Sequence, residues 1–401
     1  MSLETLTLVL ATDRGPGLDP LTRHRAKAAV PFAGKFRIID FTLANCLHSD
    51  LRQVLVLTQY KSHSLHKHLR DGWSIYNPEL REYVTPVSPQ MAEGQSWYTD
   101  PFDAVRQNRY LIERSRAKRV LILQGDLIYR MDYAEMIRAH VDQRVEVTLA
   151  IREGSPADSP GRVAVSLDEA GRVVQAFDPA STGDPARTNL LTMGVYLFDK
   201  ERLLAELDRP AEVSPEHQVL SAPAITSLSA SGGVFGYRFG GARGRVTPDR
   251  YWCDPVTIDA YFGATMALLD PRAPLDLYQE DWDIHTYQGQ DPPARTVPGA
   301  SGTEGIFVNS MLADGTLISG GGVNHSVLFP RVRIRDGAIV EEAVLFDGVQ
   351  VGEGAHLRRC ILDKGVLVPA GVQIGLDPAT DRARYEVTDG GVVVIPRGFA
   401  F

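Results

Sequence analysis

Two short stretches carry residue types that could manage phosphate or metal chemistry. The first is Ala11-Thr12-Asp13-Arg14-Gly15-Pro16-Gly17-Leu18, a glycine-rich turn directly after the apolar run Leu6 to Leu10. Glycines after a strand let backbone N–H groups close on a phosphate. Such turns also form for packing alone, so by itself this loop is a weak signal. The second is Gly125-Asp126, after Val120 to Leu123. In isolation an acidic residue in that position reads as an ordinary turn residue.

The elements that would hold these stretches follow a regular plan. Leu6 to Leu10, Val54 to Leu57, Val120 to Leu123, Val145 to Ile151 and Met193 to Phe198 read as strands alternating with helical patterns. That alternation predicts an α/β domain over residues 1–270 with a largely parallel sheet and sites at the carboxyl ends of its strands. A stretch dense in proline and glycine, 271–302, reads as a linker wrapped on the surface, and its Trp282 and Tyr287 suggest that it is docked.

Residues 303–401 contain an internal repeat. Ser326 to Glu342, Ala343 to Arg359 and the segment from Cys360 align at a period of 17. Val327, Val344 and Ile361 coincide, as do Leu328, Leu345 and Leu362; Val332, Val349 and Val366; Ile334, Val351 and Val368; and Val340, Leu357 and Ile374. Gly337, Gly354 and Gly371 fall in register too. An apolar position about every six residues, with glycine at corners, describes a triangular coil of short parallel strands, a parallel β-helix. A coil this short leaves open ends that need cover.

Bulk properties narrow the partners. A chain of 401 residues, 44% hydrophobic and 23% charged, is globular and long enough for two cores. A net charge of −8 gives no electrostatic reason to expect nucleic acid or an anionic membrane. Cys46, Cys253 and Cys360 lack metal spacing, and an odd count fits buried thiols in a reducing compartment. No secretory leader and no apolar run of about 18 residues is evident, so a soluble, cytoplasmic protein is expected.

Leu21-Thr22, Arg25-Ala26-Lys27-Ala28-Ala29-Val30 and Gly34-Lys35-Phe36-Arg37-Ile38-Ile39-Asp40-Phe41 follow the first loop. Together they resemble the opening of the ADP-glucose pyrophosphorylases. The resemblance continues through Thr58-Gln59-Tyr60, Gly72-Trp73-Ser74, Gly125-Asp126, Met193-Gly194-Val195-Tyr196, Tyr251-Trp252 with Asp254, and Ser326-Val327-Leu328-Phe329. It implies a nucleotidyltransferase domain joined to a left-handed β-helix, a tetramer, and a role in glycogen or starch synthesis. The family reaction is attack of glucose 1-phosphate on the α-phosphorus of ATP, with release of pyrophosphate. Mg²⁺, a hard ion that takes oxygen ligands, neutralises charge there. The resemblance assigns the metal to Asp126 and Asp254, and a charge-balancing role among the phosphates to Lys27. It places the sugar phosphate near Asp178, Thr192 and Gly194, and an anionic effector at Arg37 and the C-terminal Arg384.

The pattern breaks at several of these positions. The loop's paired glycines are Thr12-Asp13, where side chains obstruct a triphosphate and disfavour positive φ. Its second arginine is Gly17. The lysine expected to hold the substrate phosphate is Asp178, in Phe177-Asp178-Pro179. Gly-Thr has become Asp100-Pro101, and a sugar-contact block has become Glu216-His217-Gln218. Two readings result: a regulatory or architectural subunit assembled with a catalytic paralogue, or an autonomous glucose-1-phosphate adenylyltransferase, or a relative using another sugar phosphate, with rebuilt contacts.

Overall fold

The computed structural model describes residues 4–90, 97–155, 161–182, 188–209, 220–230, 233–240 and 250–401. Two compact units are present, and both are discontinuous in sequence. The first comprises Met1–Arg14, Ile39–Asp254 and Gln279–His285; the second comprises Gly15–Ile38, Pro255–Tyr278 and Thr286–Phe401.

The first unit is built on a nine-stranded mixed sheet. Its parallel run places Tyr83–Val87, Gln53–Thr58, Thr5–Ala11 and Arg119–Gln124 side by side. Thr5–Ala11 is buried along its whole length, which explains its unbroken apolar and threonine character. The long strand Asn189–Asp199 then pairs antiparallel to Arg119–Gln124 and to Val147–Gly154. Its register with Val147–Gly154 shifts between Thr192 and Tyr196, and Gly194 lies in that bulge at φ 81°. Trp282 is fully buried in this unit, donating to Asn45 Oδ1 at 3.0 Å and stacking on His48.

The second unit holds the coil. Val327 pairs with Val344 and Val344 with Ile361; Ile334 with Val351 and Val351 with Val368; Val340 with Leu357 and Leu357 with Ile374. These are the columns of the 17-residue repeat, now adjacent parallel strands. The Ile334 and Val340 columns fill one core together with Leu328, Leu345 and Leu362, while Val327, Val344 and Ile361, each the strand neighbour of one of those leucines, are buried outside that core. The coil starts earlier than that repeat: Arg295–Val297 pairs with Leu317–Ser319, and Ile306–Val308 with Gly322–Asn324. Each of three corners stacks left-handed residues: Gly320, Gly337, Gly354 and Gly371; Gly315, Arg331, Gly348 and Gly365; and Asn309, His325, Glu342 and Arg359. A single left-handed residue turns the chain through each corner, and the third column does so without glycine. Tyr385, Phe399 and Phe401 form an aromatic trio near the chain end, with ring centroids 5.1 to 6.3 Å apart.

Cys46 and Cys360 are fully buried, and burial raises both thiols above their ordinary range; Cys253 is partly buried. No helix among the described residues is long and apolar enough to cross a membrane. Tyr287, expected to dock with Trp282, is 48% exposed.

Candidate functional site

In the first unit both carboxylates sit at strand ends, Asp126 after Arg119–Gln124 and Asp254 after Trp252–Cys253. Gly125 follows the strand Arg119–Gln124, and its N–H donates to the Leu10 carbonyl at 2.8 Å. A Cβ there would lie 2.8 Å from Val9 Cγ1, so only glycine lets the chain cross this closely. Asp126 is buried directly after it. Trp252–Cys253 pairs antiparallel with Ile128–Tyr129. Continuing that register sets Asp254 opposite Leu127, one residue from Asp126.

Asp254 already carries a cation. Arg162 donates through Nη2 to Asp254 Oδ2 and through Nη1 to Gln124 Oε1. The side chains of Arg162 and Asp254 are 2% and 4% exposed. Trp252 backs the pair: the Arg162 guanidinium lies 5.0 Å and that of Arg152 4.3 Å from its ring centroid. Trp252 Nε1 donates to the Met193 carbonyl at 3.3 Å. A Cβ on Gly194 would sit 2.2 Å from Gln124 Oε1, so the bulge glycine makes room for the amide that Arg162 holds. Thr192 is buried beside it, its N–H donating to the Val163 carbonyl at 2.9 Å. Two carboxylates are the right donor type for Mg²⁺, but one is neutralised by a buried guanidinium. The pair as it stands does not fit a dication held by both carboxylates. Among the described residues no group of three or more His, Cys, Asp and Glu comes together as a metal site.

The altered residues have structural work. Asp178 is exposed and its Oδ1 accepts from the Ala180 N–H at 2.9 Å, capping the turn Pro179–Thr182. Asp100 Oδ1 accepts from the Asp103 N–H at 2.8 Å and, followed by Pro101, starts the helix Pro101–Gln107. Thr12 and Asp13 are partly buried and neither has positive φ. Arg14 is exposed, with its guanidinium 5.4 Å from the Tyr60 ring centroid. Glu216-His217-Gln218 lies outside the described residues.

In the second unit Gly15 has φ 66°, and a Cβ on it would meet Lys27 Cβ at 2.8 Å. The buried Lys27 stem therefore lies against the loop backbone. Thr22 Oγ1 and the Leu18 N–H both bond the Gly15 carbonyl at 3.0 Å. Gly17 does not have positive φ, yet a Cβ on it would stand 2.0 Å from the Val256 carbonyl oxygen. The position lacks space for any side chain in this backbone.

A basic cluster also lies in the second unit. Arg25 pairs with Asp363 at 2.7 Å, the two side chains being 4% and 1% exposed. Burial first, then the charges of Arg37 and Arg25, push the Lys364 ammonium down to about 8. Arg384 is exposed and stacks on Tyr385 at 5.2 Å. Arg162, Gln124 and Lys364 were not singled out by the sequence: each is one residue whose partner is far along the chain, with no local spacing to mark it.

A mixed α/β sheet with carboxylates at its strand ends, joined to a hexapeptide-type coil, defines a nucleotidyltransferase carrying a left-handed parallel β-helix. Residues 6–271 match the nucleotidyl transferase family model, and residues 292–395 match the model of the GlmU-like C-terminal hexapeptide. The chain is 49% identical over 99% of its length to glucose-1-phosphate adenylyltransferase 2 of Vibrio vulnificus, covering 100% of that protein. It is 47% identical to glucose-1-phosphate adenylyltransferase 2 of Vibrio cholerae, with 99% of both chains covered. Glucose-1-phosphate adenylyltransferase of Dechloromonas aromatica is 38% identical, over 98% of this chain and 91% of its own. The chain belongs to the ADP-glucose pyrophosphorylase family, the glucose-1-phosphate adenylyltransferases.

Proposed function

We propose that this chain is a regulatory or architectural subunit of glycogen or starch synthesis, assembled as a tetramer with a catalytic paralogue in the cytoplasm. The observation that carries this reading is that the altered positions are built into the scaffold. Asp178 and Asp100 cap backbone turns, and Gly17 admits the Val256 carbonyl at a distance no side chain tolerates. At Gly17 a return to arginine meets that overlap, and at Asp178 or Asp100 a return to the family residue gives up a backbone cap worth about 1 kcal/mol. Losing one charge-assisted contact to a developing anion typically costs about 10²-fold or more in rate. ATP, glucose 1-phosphate or an anionic effector remain ligands in this reading. Arg37 and Arg384 are the effector contacts, and Arg25 and Lys364 add positive charge around Arg37.

A second reading, the autonomous enzyme, draws on retained residues. Lys27 and Asp126 are both present and buried, and the relatives matched along the whole chain are named as adenylyltransferases. In that reading Lys27 balances charge among the phosphates and Asp126 contributes to Mg²⁺ binding. The decisive assay supplies ATP, glucose 1-phosphate and Mg²⁺ to the purified chain, alone and co-expressed with a paralogue carrying the intact loop. The subunit reading expects turnover only in the mixed assembly. Turnover by the chain alone at an ordinary rate, about 1 to 10³ s⁻¹, refutes it.

A further inference from the structure

We infer that Arg162 is a built-in counter-ion that closes the Asp126–Asp254 pair to divalent cations. Its guanidinium bridges Gln124 and Asp254, so both of its terminal nitrogens are committed to named acceptors. The pair is almost completely removed from water, where an arginine keeps its charge and where any second cation meets it with little screening. Trp252 holds the planar group from behind, and Gly194 removes the Cβ that would push Gln124 out of reach. A dication binding Asp254 therefore has to approach a fixed positive charge or displace it. Displacement would leave a buried guanidinium without its carboxylate, an arrangement that is strongly destabilising. The inference rests on reading Asp126 and Asp254 as the metal pair, and it gives Arg162 the role of a residue that sets which cations this site admits.

The test measures binding of Mn²⁺ alone to the full chain, by electron paramagnetic resonance and by calorimetry. Four proteins are compared: wild type, Arg162→Gln, Arg162→Lys, and Arg162→Gln combined with Asp254→Asn. Glutamine keeps a hydrogen-bond donor and removes the charge, while lysine keeps the charge. The expected result is that Arg162→Gln binds Mn²⁺ at least tenfold more tightly than wild type and Arg162→Lys. The added Asp254→Asn change removes the gain. Wild type binding as tightly as Arg162→Gln overturns the inference, as does a gain that survives Asp254→Asn. Should Arg162→Gln not fold, Mn²⁺ melts of wild type and Asp254→Asn decide: stabilisation of wild type by Mn²⁺ that is lost in Asp254→Asn overturns it. The readout is separate from turnover, so a chain that turns over alone yet shows this Mn²⁺ pattern refutes the subunit reading and leaves the inference standing.

Discussion

Replacing Gly17 by alanine isolates the steric cost at the first loop. Gly17 does not have positive φ, so alanine adds no backbone strain there, and the whole effect comes from the overlap of its Cβ with the Val256 carbonyl at 2.0 Å. An ordinary carbon–oxygen contact needs more than an ångström of further separation, which the segment before the helix Ile258–Met266 would have to supply. Overpacking of this kind typically costs about 1 to 3 kcal/mol, and an overlap this deep belongs at the upper end. For a unit of roughly 160 residues that corresponds to a fall in Tm of about 5 to 10 °C. Gly263→Ala is the control: a Cβ there meets nothing within 4 Å, it lies inside a helix, and helix propensity favours alanine by up to about 1 kcal/mol. Differential scanning calorimetry should show the two alanine variants moving in opposite directions. Gly17→Arg should lose at least as much stability as Gly17→Ala, with no gain in pyrophosphate binding by calorimetry. A Gly17→Ala protein that melts within 1 °C of wild type would show that the loop is free to move, and the argument that it has been built into the scaffold would fall.

The basic cluster gives two further expectations. Lys364 is lowered to about 8 in the folded state, so between pH 8 and its ordinary value near 10.5 the unfolded chain holds a proton that the folded one has released. Stability should rise with pH across that window; Lys364→Met should be the more stable protein at pH 7, with the gap narrowing by pH 10, and an unchanging gap contradicts the assignment. Asp363→Ala strands the buried Arg25 charge and should cost about 3 to 5 kcal/mol, whereas Arg25→Met with Asp363→Leu should recover most of it; a double variant whose loss in urea melts equals the summed losses of Arg25→Met and Asp363→Leu would mean the pair contributes no coupling.

What could be read from the sequence followed the range over which its signals act. Val327, Val344 and Ile361 recur at a fixed interval because successive coils stack directly, so the ladder could be read before any coordinates. The first coils were less visible. Ile306 pairs with Gly322 and Arg295 with Leu317, at spacings of 16 and 22 residues and with few apolar partners. At Asp100 and Asp178 the sequence shows what phosphate chemistry has lost; the backbone N–H groups they cap show what replaced it. Arg162 gives no local signal at all, since its acceptors lie 38 and 92 residues away.

The stacked corners carry a consequence for how such a coil changes over evolutionary time. Asn309, His325, Glu342 and Arg359 turn the same corner in four successive coils although they differ in size and charge, and neighbours along the stack pair, Asn309 with His325 and Arg359 with Glu342. The corner is thus specified by backbone geometry repeated from the coil below, and no single residue type is required to occupy it. A duplicated unit of 17 residues would find its three turns already templated and would lengthen the coil by one strand spacing, about 4.8 Å. The coil is in that sense a ruler graduated in single strands, whose length can drift by whole divisions while the sheet domain's strand ends remain as they are.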